Sequence, residues 1–391
     1  MKKILAHLKR PLLFAVTLAS LSAFLIVAGP VASSSGGLTG SVAPMPKATS
    51  TTTDASTTTT STVSTSTTTT SSNPVVPGGL IAAGPSRSEC IDPNFNDTGL
   101  ASIKNAVGTF DSETHSTVTC LSAYLNGEPS WTTWEHPWII QPQYGYTAWV
   151  AEKPQQRQLV LQVDLIPSDL SDVGNPLNWE RSCAAGDYEE YATQLGESLV
   201  GVGLQNSVIR LGPEMNGIWE ADFVGTTSFE QHLWGECFAS EVTGLRAATG
   251  EHFLIDWNPN ACVENIPLGN FYPGNAYVDI VGLDLFDVSC VLPRTRRTFA
   301  ELADETAGLA SFESFATARG KPMSLPEWGL EAYPSGDDPG YIDGIGATFR
   351  RRDFAFESYF DVNLKIRPYL GLGPNSPRAL KAFQKWFGNR S

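Results

Sequence analysis

From about residue 77 onward, apolar positions recur along this chain in two rhythms that take turns. Residues 158–165 alternate polar and apolar, the period of two that a half-buried strand requires. Short apolar runs at 80–83, 118–124, 207–212, 252–256, 278–283, 323–325 and 355–360 read as further strands. Helical signals fall between them, the first at 98–107. Asp187 is placed to cap a helix that carries Tyr188, Tyr191, Leu195, Leu199 and Val202 on one face. Ser228-Phe229-Glu230-Gln231 has the form of a capping box. Residues 300–319 and 341–351 read as helices, and Ser376-Pro377 opens a last one with proline at its first position. Eight strands separated mostly by helices predict an α/β fold, a (β/α)8 TIM barrel spanning 77–391. A doubly wound open sheet is the rival, weakened because no glycine-rich phosphate fingerprint follows any strand.

The first 76 residues follow neither rhythm. Lys2, Lys3, Lys9 and Arg10 precede an apolar stretch at 12–28, with small residues at Ala32 and Ser33. This pattern predicts a secretory signal peptide over 1–33. An uncleaved N-terminal anchor is the rival, because the stretch is only a little short of a membrane span. Between Thr49 and Ser72, 21 of 24 residues are Ser or Thr, so 34–76 cannot bury a core and is expected to be a disordered linker. Export follows, to a secreted or cell-surface position. All six cysteines lie beyond the linker, and an even count after a signal peptide predicts disulfides. Cys262 and Cys290, each shortly after a predicted strand, form the first pair to expect; the other pairings stay open.

The chain carries 41 acidic against 26 basic residues, a net charge of −15. Such a surface repels nucleic acid and anionic lipid, so neither is an expected partner beyond the possible anchor. An uncharged polysaccharide remains an accessible partner, and the chain is expected to act as a monomer. None of the five histidines lies in the H-E-x-x-H spacing of zinc hydrolases, and no G-x-S-x-G elbow occurs. Asp92-Pro93-Asn94-Phe95-Asn96 has the start of a calcium loop but not its later ligands. No metal and no organic cofactor is expected.

Two motifs carry the candidate chemistry: Ile209-Arg210-Leu211-Gly212-Pro213-Glu214-Met215-Asn216-Gly217 and Ser324-Leu325-Pro326-Glu327-Trp328-Gly329. Each reads as a strand that delivers one glutamate at its C-terminal end, where barrels place their chemistry. Glu214 and Glu327 would end the fourth and seventh strands and face each other across the mouth. Two carboxyl groups so placed suit acid/base cleavage of a glycosidic bond. Arg210, on the same strand side as Glu214 by period two, is a cation that would keep Glu327 ionised. Its bland alternative is a structural ion pair. Asn216 is a candidate for a sugar hydroxyl or for fixing the turn. Trp219, Trp257 and Trp328 could stack on sugar rings or belong to the core. Trp219 and Trp328 lie close enough in sequence to the glutamates to desolvate a catalytic carboxyl. Asn258 and Asp284, with Asp256, Asp164 and Asp361, sit where strands end, as substrate contacts or as braces. Trp131, Trp134 and Trp138 could line distal sugar subsites or form a satellite cluster.

At these motifs the chain resembles glycoside hydrolase family 26, a retaining family best known for β-mannanases, and in particular exported actinobacterial proteins related to it. The matching stretches are 210–219, 256–260, 272–284 (with Tyr272-Pro273-Gly274 and Tyr277-Val278-Asp279) and 321–329. The resemblance implies Glu214 as acid/base and Glu327 as nucleophile of an endo-acting enzyme on β-mannan or a related β-glycan. The family carries His directly before its acid/base, where this chain has Pro213. It also carries Tyr two residues after the strand-six aspartate, where this chain has Phe286. Both changes remove polar contacts near the reactive sugar. They leave a non-catalytic wall-glycan binder or a transglycosylase as alternatives on the same barrel.

Overall fold

The computed structural model describes residues 88–92, 99–125, 127–261, 266–288, 295–333, 335–361 and 369–389. The expected leader and linker, the run at 80–83, and Cys262 and Cys290 lie outside them.

Eight parallel strands make the core: β1 (Ser88–Ile91), β2 (Cys120–Tyr124), β3 (Gln158–Val163), β4 (Val208–Leu211), β5 (Leu254–Trp257), β6 (Ile280–Gly282), β7 (Met323–Glu331) and β8 (Phe354–Tyr359). Each pairs with the next in sequence, and β8 pairs back onto β1. The sheet is therefore closed, a (β/α)8 barrel, and the open doubly wound alternative is excluded. Two short strands flank β7: Leu285–Phe286 parallel and Tyr369–Leu370 antiparallel.

The eight-strand count holds among the described residues, and the first of these strands is one the apolar pattern did not single out. It is Ser88–Ile91, too polar at its start to stand out in a hydrophobicity pattern. Burial on both faces and the disulfide Cys90–Cys120 to β2 compensate for its weak propensity. A second disulfide, Cys183–Cys237, joins the helices Leu177–Ala184 and Ser228–Ala247.

Helix boundaries moved where local chemistry differed from the apolar pattern. Asp187 is not a cap: the helix Glu189–Gly201 starts after Tyr188, and Val202 is exposed. The capping box at Ser228 shifts one residue, to Thr227 and Glu230, each side chain bonding the other's backbone N–H. The helix expected over 300–319 is two, Phe299–Ala303 and Leu309–Arg319, interrupted before Gly308. Asp338 caps Pro339–Arg351, and Pro377–Trp386 begins at the expected proline.

Side chains on alternate strand positions fill the barrel in layers. Cys90, Cys120, Val160, Val208, Ile280 and Phe356 form an apolar plug separate from the main core. Two residues further along, the layer turns polar, with Ser122, Gln162, Arg210, Asp256, Ser324 and Ser358. Gly282 sits in that polar layer because no Cβ fits. One built there would lie 2.6 Å from Asp256 Oδ1 and 2.7 Å from Ser324 Oγ. Gly282→Ala is expected to destabilise the barrel by about 1–3 kcal/mol, read as a lower midpoint of thermal unfolding. A midpoint equal to the parent's would show that this layer is loosely packed.

Candidate active site

β4 ends at Leu211, and the chain then turns sharply. Gly212 and Glu214 both take the left-handed conformation, each with φ 51°. Glycine tolerates this; for a glutamate it is strained, and the surroundings must hold it. They do so through the backbone. Glu214 N donates to Asn258 O at 2.7 Å, and Gly217 N donates to Glu214 O at 2.7 Å. Glu214 therefore does not continue the strand side of Arg210, as a period of two would have it. The turn aims it.

Its carboxylate is held at both oxygens. Trp219 Nε1 donates to Oε2 at 2.7 Å, and Asn260 Nδ2 donates to Oε1. Asn216 is buried beneath this turn. Its Oδ1 accepts from Asn260 N and its Nδ2 donates to Asn260 O, both at 2.8 Å. It fixes the turn, and at 1% exposure its amide lies below the surface that a sugar could reach.

Glu327 is delivered differently. β7 runs on to Glu331 rather than ending at Leu325. Pairing with β8 slips between Leu325 and Trp328, so that β7 carries an extra residue at Pro326-Glu327. Pro326 cannot donate to a ladder, and a bulge re-aims the side chain that follows. Glu327 keeps 13% of its side chain exposed, while Arg210 beneath it keeps 1%.

Arg210 is the hub. Nη1 donates to Glu327 Oε1 and Nη2 to Asp284 Oδ2, each at 2.9 Å, while Nε donates to Asn258 Oδ1 at 2.9 Å. Burial opposes its charge, but the Asp284 and Glu327 carboxylates outweigh that and hold its pKa up. The expectation that Arg210 keeps Glu327 ionised holds only in part. Burial pushes Glu327 up to about 7; Arg210 draws it down, and the nearby Glu214 charge raises it again.

One carboxylate oxygen from each of Glu214, Asp284 and Glu327 lies within 4.8 Å of the other two. Three such oxygens could hold a divalent cation, but the Arg210 guanidinium already occupies two of these groups. Asn258 and Asp284, expected at substrate, instead orient Arg210.

Trp257 and Trp328 face away from the mouth. Trp257 packs among Phe271, Tyr272, Phe312 and Phe315. Trp328 stacks near Phe383 and donates to Glu357. Each follows an inward residue, Asp256 or Glu327, so strand alternation turns it toward the helices. Trp134 is buried, Trp131 stacks on Tyr191, and Trp138 meets Tyr144 and Tyr146, which makes these three packing residues. Asp164 accepts from Gly127 N and Asp361 from Leu372 N, so both brace loops, while Asp256 accepts from Ser324 Oγ inside the barrel.

Asn260, from the stretch 256–260, joins Glu214, and three residues join the site without having been singled out for it: Glu220 near Glu214, and Tyr124 and Asp92 near Glu327. Tyr124 ends a predicted strand, a signal that was legible. Asp92 follows a strand that was not. A separate cleft of about 430 Å3 lies between the helix Ser228–Ala247 and the turn Leu268–Asn270, lined in part by His232, Glu236, Tyr272 and Tyr277. Glu214, Asp284 and Glu327 do not line it.

No family model and no curated protein matches the chain. Solved structures do. A family 26 β-mannanase from Bacteroides ovatus is similar over 71% of this chain and 80% of its own, at 16% identity and a TM-score of 0.49. An endo-β-1,4-mannanase double mutant from Cellulomonas fimi is similar over 71% of this chain and 65% of its own, at 17% identity and a TM-score of 0.49. The catalytic domain of a family 26 endo-β-1,4-mannanase from Bacillus sp. JAMB-750 is similar over 77% of this chain and 85% of its own, at 18% identity and a TM-score of 0.48. Likeness at this level says nothing of substrate, and the barrel rests on its own strand order.

Proposed function

We propose that the chain is an exported retaining glycosidase that cleaves a β-glycan, β-mannan or a relative of it, with Glu327 as nucleophile and Glu214 as acid/base. The observation that carries this reading is the spacing of the pair. Their carboxylate oxygens approach within 4.8 Å, one on the turn after β4 and the other at the bulge of β7. Retaining enzymes hold their carboxyl groups roughly 5–5.5 Å apart, inverting ones more than about 6.5 Å.

In the first step the Glu327 carboxylate attacks the anomeric carbon. The bond to the leaving oxygen breaks as Glu214 gives that oxygen its proton. In the second step Glu214, now a carboxylate, takes a proton from water, and the water oxygen displaces Glu327. Arg210 supports Glu327 as an anion in the resting enzyme and again as it departs. Trp219 and Asn260 hold Glu214 in line with the leaving oxygen. The domain at 77–391, the leader at 1–33 and the linker at 34–76 make the exported form, in keeping with two disulfides.

The test is a panel of mannan, mixed-linkage glucan, xylan and galactan, assayed for new reducing ends, with the first-formed anomer identified by NMR. Cleavage with retention is the expected result. Binding without cleavage of any member favours the non-catalytic binder, and an inverted first anomer removes Glu327 as nucleophile. Longer products from oligosaccharides would reveal transglycosylation, with a sugar hydroxyl replacing water. Glu214→Ala is expected to cost about 10²–10⁴-fold on natural glycans. It should cost far less on aryl glycosides whose leaving group needs no proton. Equal losses on both would mean that Glu214 is not the acid.

A further inference from the structure

Asn258 touches both halves of the site. It follows Trp257, the last residue of β5, and it is fully buried. In the β4–β5 register Arg210 lies opposite Asp256, so Asn258 falls beside the turn at Gly212, just above the ladder. Its backbone continues the pairing there, because Asn258 O accepts from Glu214 N at 2.7 Å. Its side chain points inward as that of Asp256 does, by the period of two. Asn258 Oδ1 accepts from Arg210 Nε at 2.9 Å and from Nη2 at 2.5 Å.

Each contact constrains one glutamate. The Glu214 backbone is left-handed, at φ 51°, a conformation that a glutamate keeps only where its neighbours impose it. The Arg210 guanidinium is planar, so holding its Nε–Nη2 edge also decides where Nη1 points. Nη1 points at Glu327 Oε1, 2.9 Å away. Asn258 is itself held firmly. A Cβ built on Gly282 would lie 3.0 Å from Asn258 Cβ, so the side chain is closed in on that face. Beyond it, Pro259 O accepts from Asp284 N at 3.1 Å, and Ala261 N donates to Asp284 O at 3.0 Å. The amide cannot turn over either, because its NH2 would then meet only the donors of Arg210.

We propose that Asn258 is a positioning residue for both glutamates and that it sets the separation between them. This rests on the reading of Glu214 and Glu327 as the catalytic pair. The path runs from Glu214 N to Asn258 O, through that residue to Oδ1, and on through Arg210 to Glu327 Oε1. Its hydrogen bonds measure 2.7, 2.9 and 2.9 Å. Without the side-chain carbonyl, the guanidinium is free to swing toward Asp284, and the backbone at 258 can drift and take the Glu214 turn with it. A displacement of about 1 Å at a reacting group can cost about 10²-fold in rate.

Two measurements on the whole chain test this. The first compares kcat/KM on a natural glycan with kcat/KM on an aryl glycoside whose leaving group needs no proton. A residue that served Glu327 alone would lower both equally. Asn258→Ala is expected to lower the aryl glycoside value about 10²-fold. It should lower the natural glycan value about tenfold further, because Glu214 is displaced as an acid as well. The second is hydrogen exchange at the Glu214 amide, followed on peptides spanning the turn with no substrate present. It should speed up about tenfold or more in Asn258→Ala. Asn258→Asp keeps an oxygen in the place of Oδ1 and should hold both the substrate ratio and the exchange rate near the parent's. Asn258→Ser carries the same expectations as Asn258→Ala if the alanine variant does not fold, because its hydroxyl is one bond too short to reach Arg210.

Equal losses on the two substrates, or a Glu214 amide that exchanges as slowly as the parent's, would overturn the inference. So would an Asn258→Asp variant that behaves like Asn258→Ala, since the acceptor oxygen would then not be the cause. If the parent cleaves nothing while Asn258→Ala still speeds exchange at Glu214 and Asn258→Asp does not, the proposed function fails and the link through Asn258 stands.

Discussion

Glu327→Ala is expected to lower turnover by about 10⁴-fold or more while leaving the fold intact. The size follows from what the side chain does: without it no covalent glycosyl-enzyme forms, and Glu214 alone must assist a direct displacement. The fold should survive because Arg210 keeps Asp284 and Asn258 as partners. The circular dichroism spectrum should match the parent's. The space left by the carboxylate also makes a positive prediction. Azide can enter it and attack the anomeric carbon from the face Glu327 used, giving a glycosyl azide of inverted configuration and recovering part of the rate on an activated aryl glycoside. Parent-like rates in this variant, on any glycan the parent cleaves, would remove Glu327 from the mechanism.

Thermal stability is expected to fall steadily between about pH 5 and pH 8. Burial pushes Glu180, Asp287 and Glu357 up to about 8, and Asp256 and Asp361 up to about 7. Each holds a proton in the folded state that it has already lost in the unfolded chain, where carboxyls titrate near 4. The folded state therefore binds more protons through this window, and stability falls as pH rises. Below about pH 4 both states are protonated and these groups cost nothing. Above about pH 8 the cost is complete. Carboxylates held below their usual range, such as Asp337 and Asp343, oppose this only weakly, because they are near the surface and their window lies at acid pH. One pKa unit corresponds to about 1.4 kcal/mol. Several groups displaced by more than a unit amount to several kcal/mol, and the unfolding midpoint should drop by about 10 °C or more. Glu180→Met tests the cause, since neither Glu180 oxygen has a hydrogen-bond partner among the described residues and the residue is 0% exposed. It should flatten the slope and raise the midpoint at pH 8. A midpoint that climbs between pH 5 and pH 8 would mean that these acids are solvated.

The two glutamates were legible because their flanks were unusual. Pro213, Gly217 and Trp219 around one, and Pro326, Trp328 and Gly329 around the other, are poor company for a helix surface. The barrel was legible because strand and helix periods alternated. Trp257 and Trp328 misled as sugar platforms because proximity in sequence to Asp256 and Glu327 looked like proximity in space. The period-two rule already put each on the opposite face from its polar neighbour. β1 was illegible because its stability comes from the barrel and a disulfide rather than from its own residues. The place of Asp92 near Glu327 depended on that missing strand.

By itself the sequence determined the secondary rhythm, the barrel class and the identity of the two facing acids, since these depend on local periodicity and on flanking residues a few positions away. Only the tertiary structure decided that Arg210 bonds Glu327 and Asp284 at once, that Asn216 braces a loop, and that burial outweighs a cation in setting the Glu327 proton. Those outcomes arise where segments 44 to 117 residues apart meet out of water. There the energy of each charge is set by all its neighbours together, and no single stretch of chain contains them.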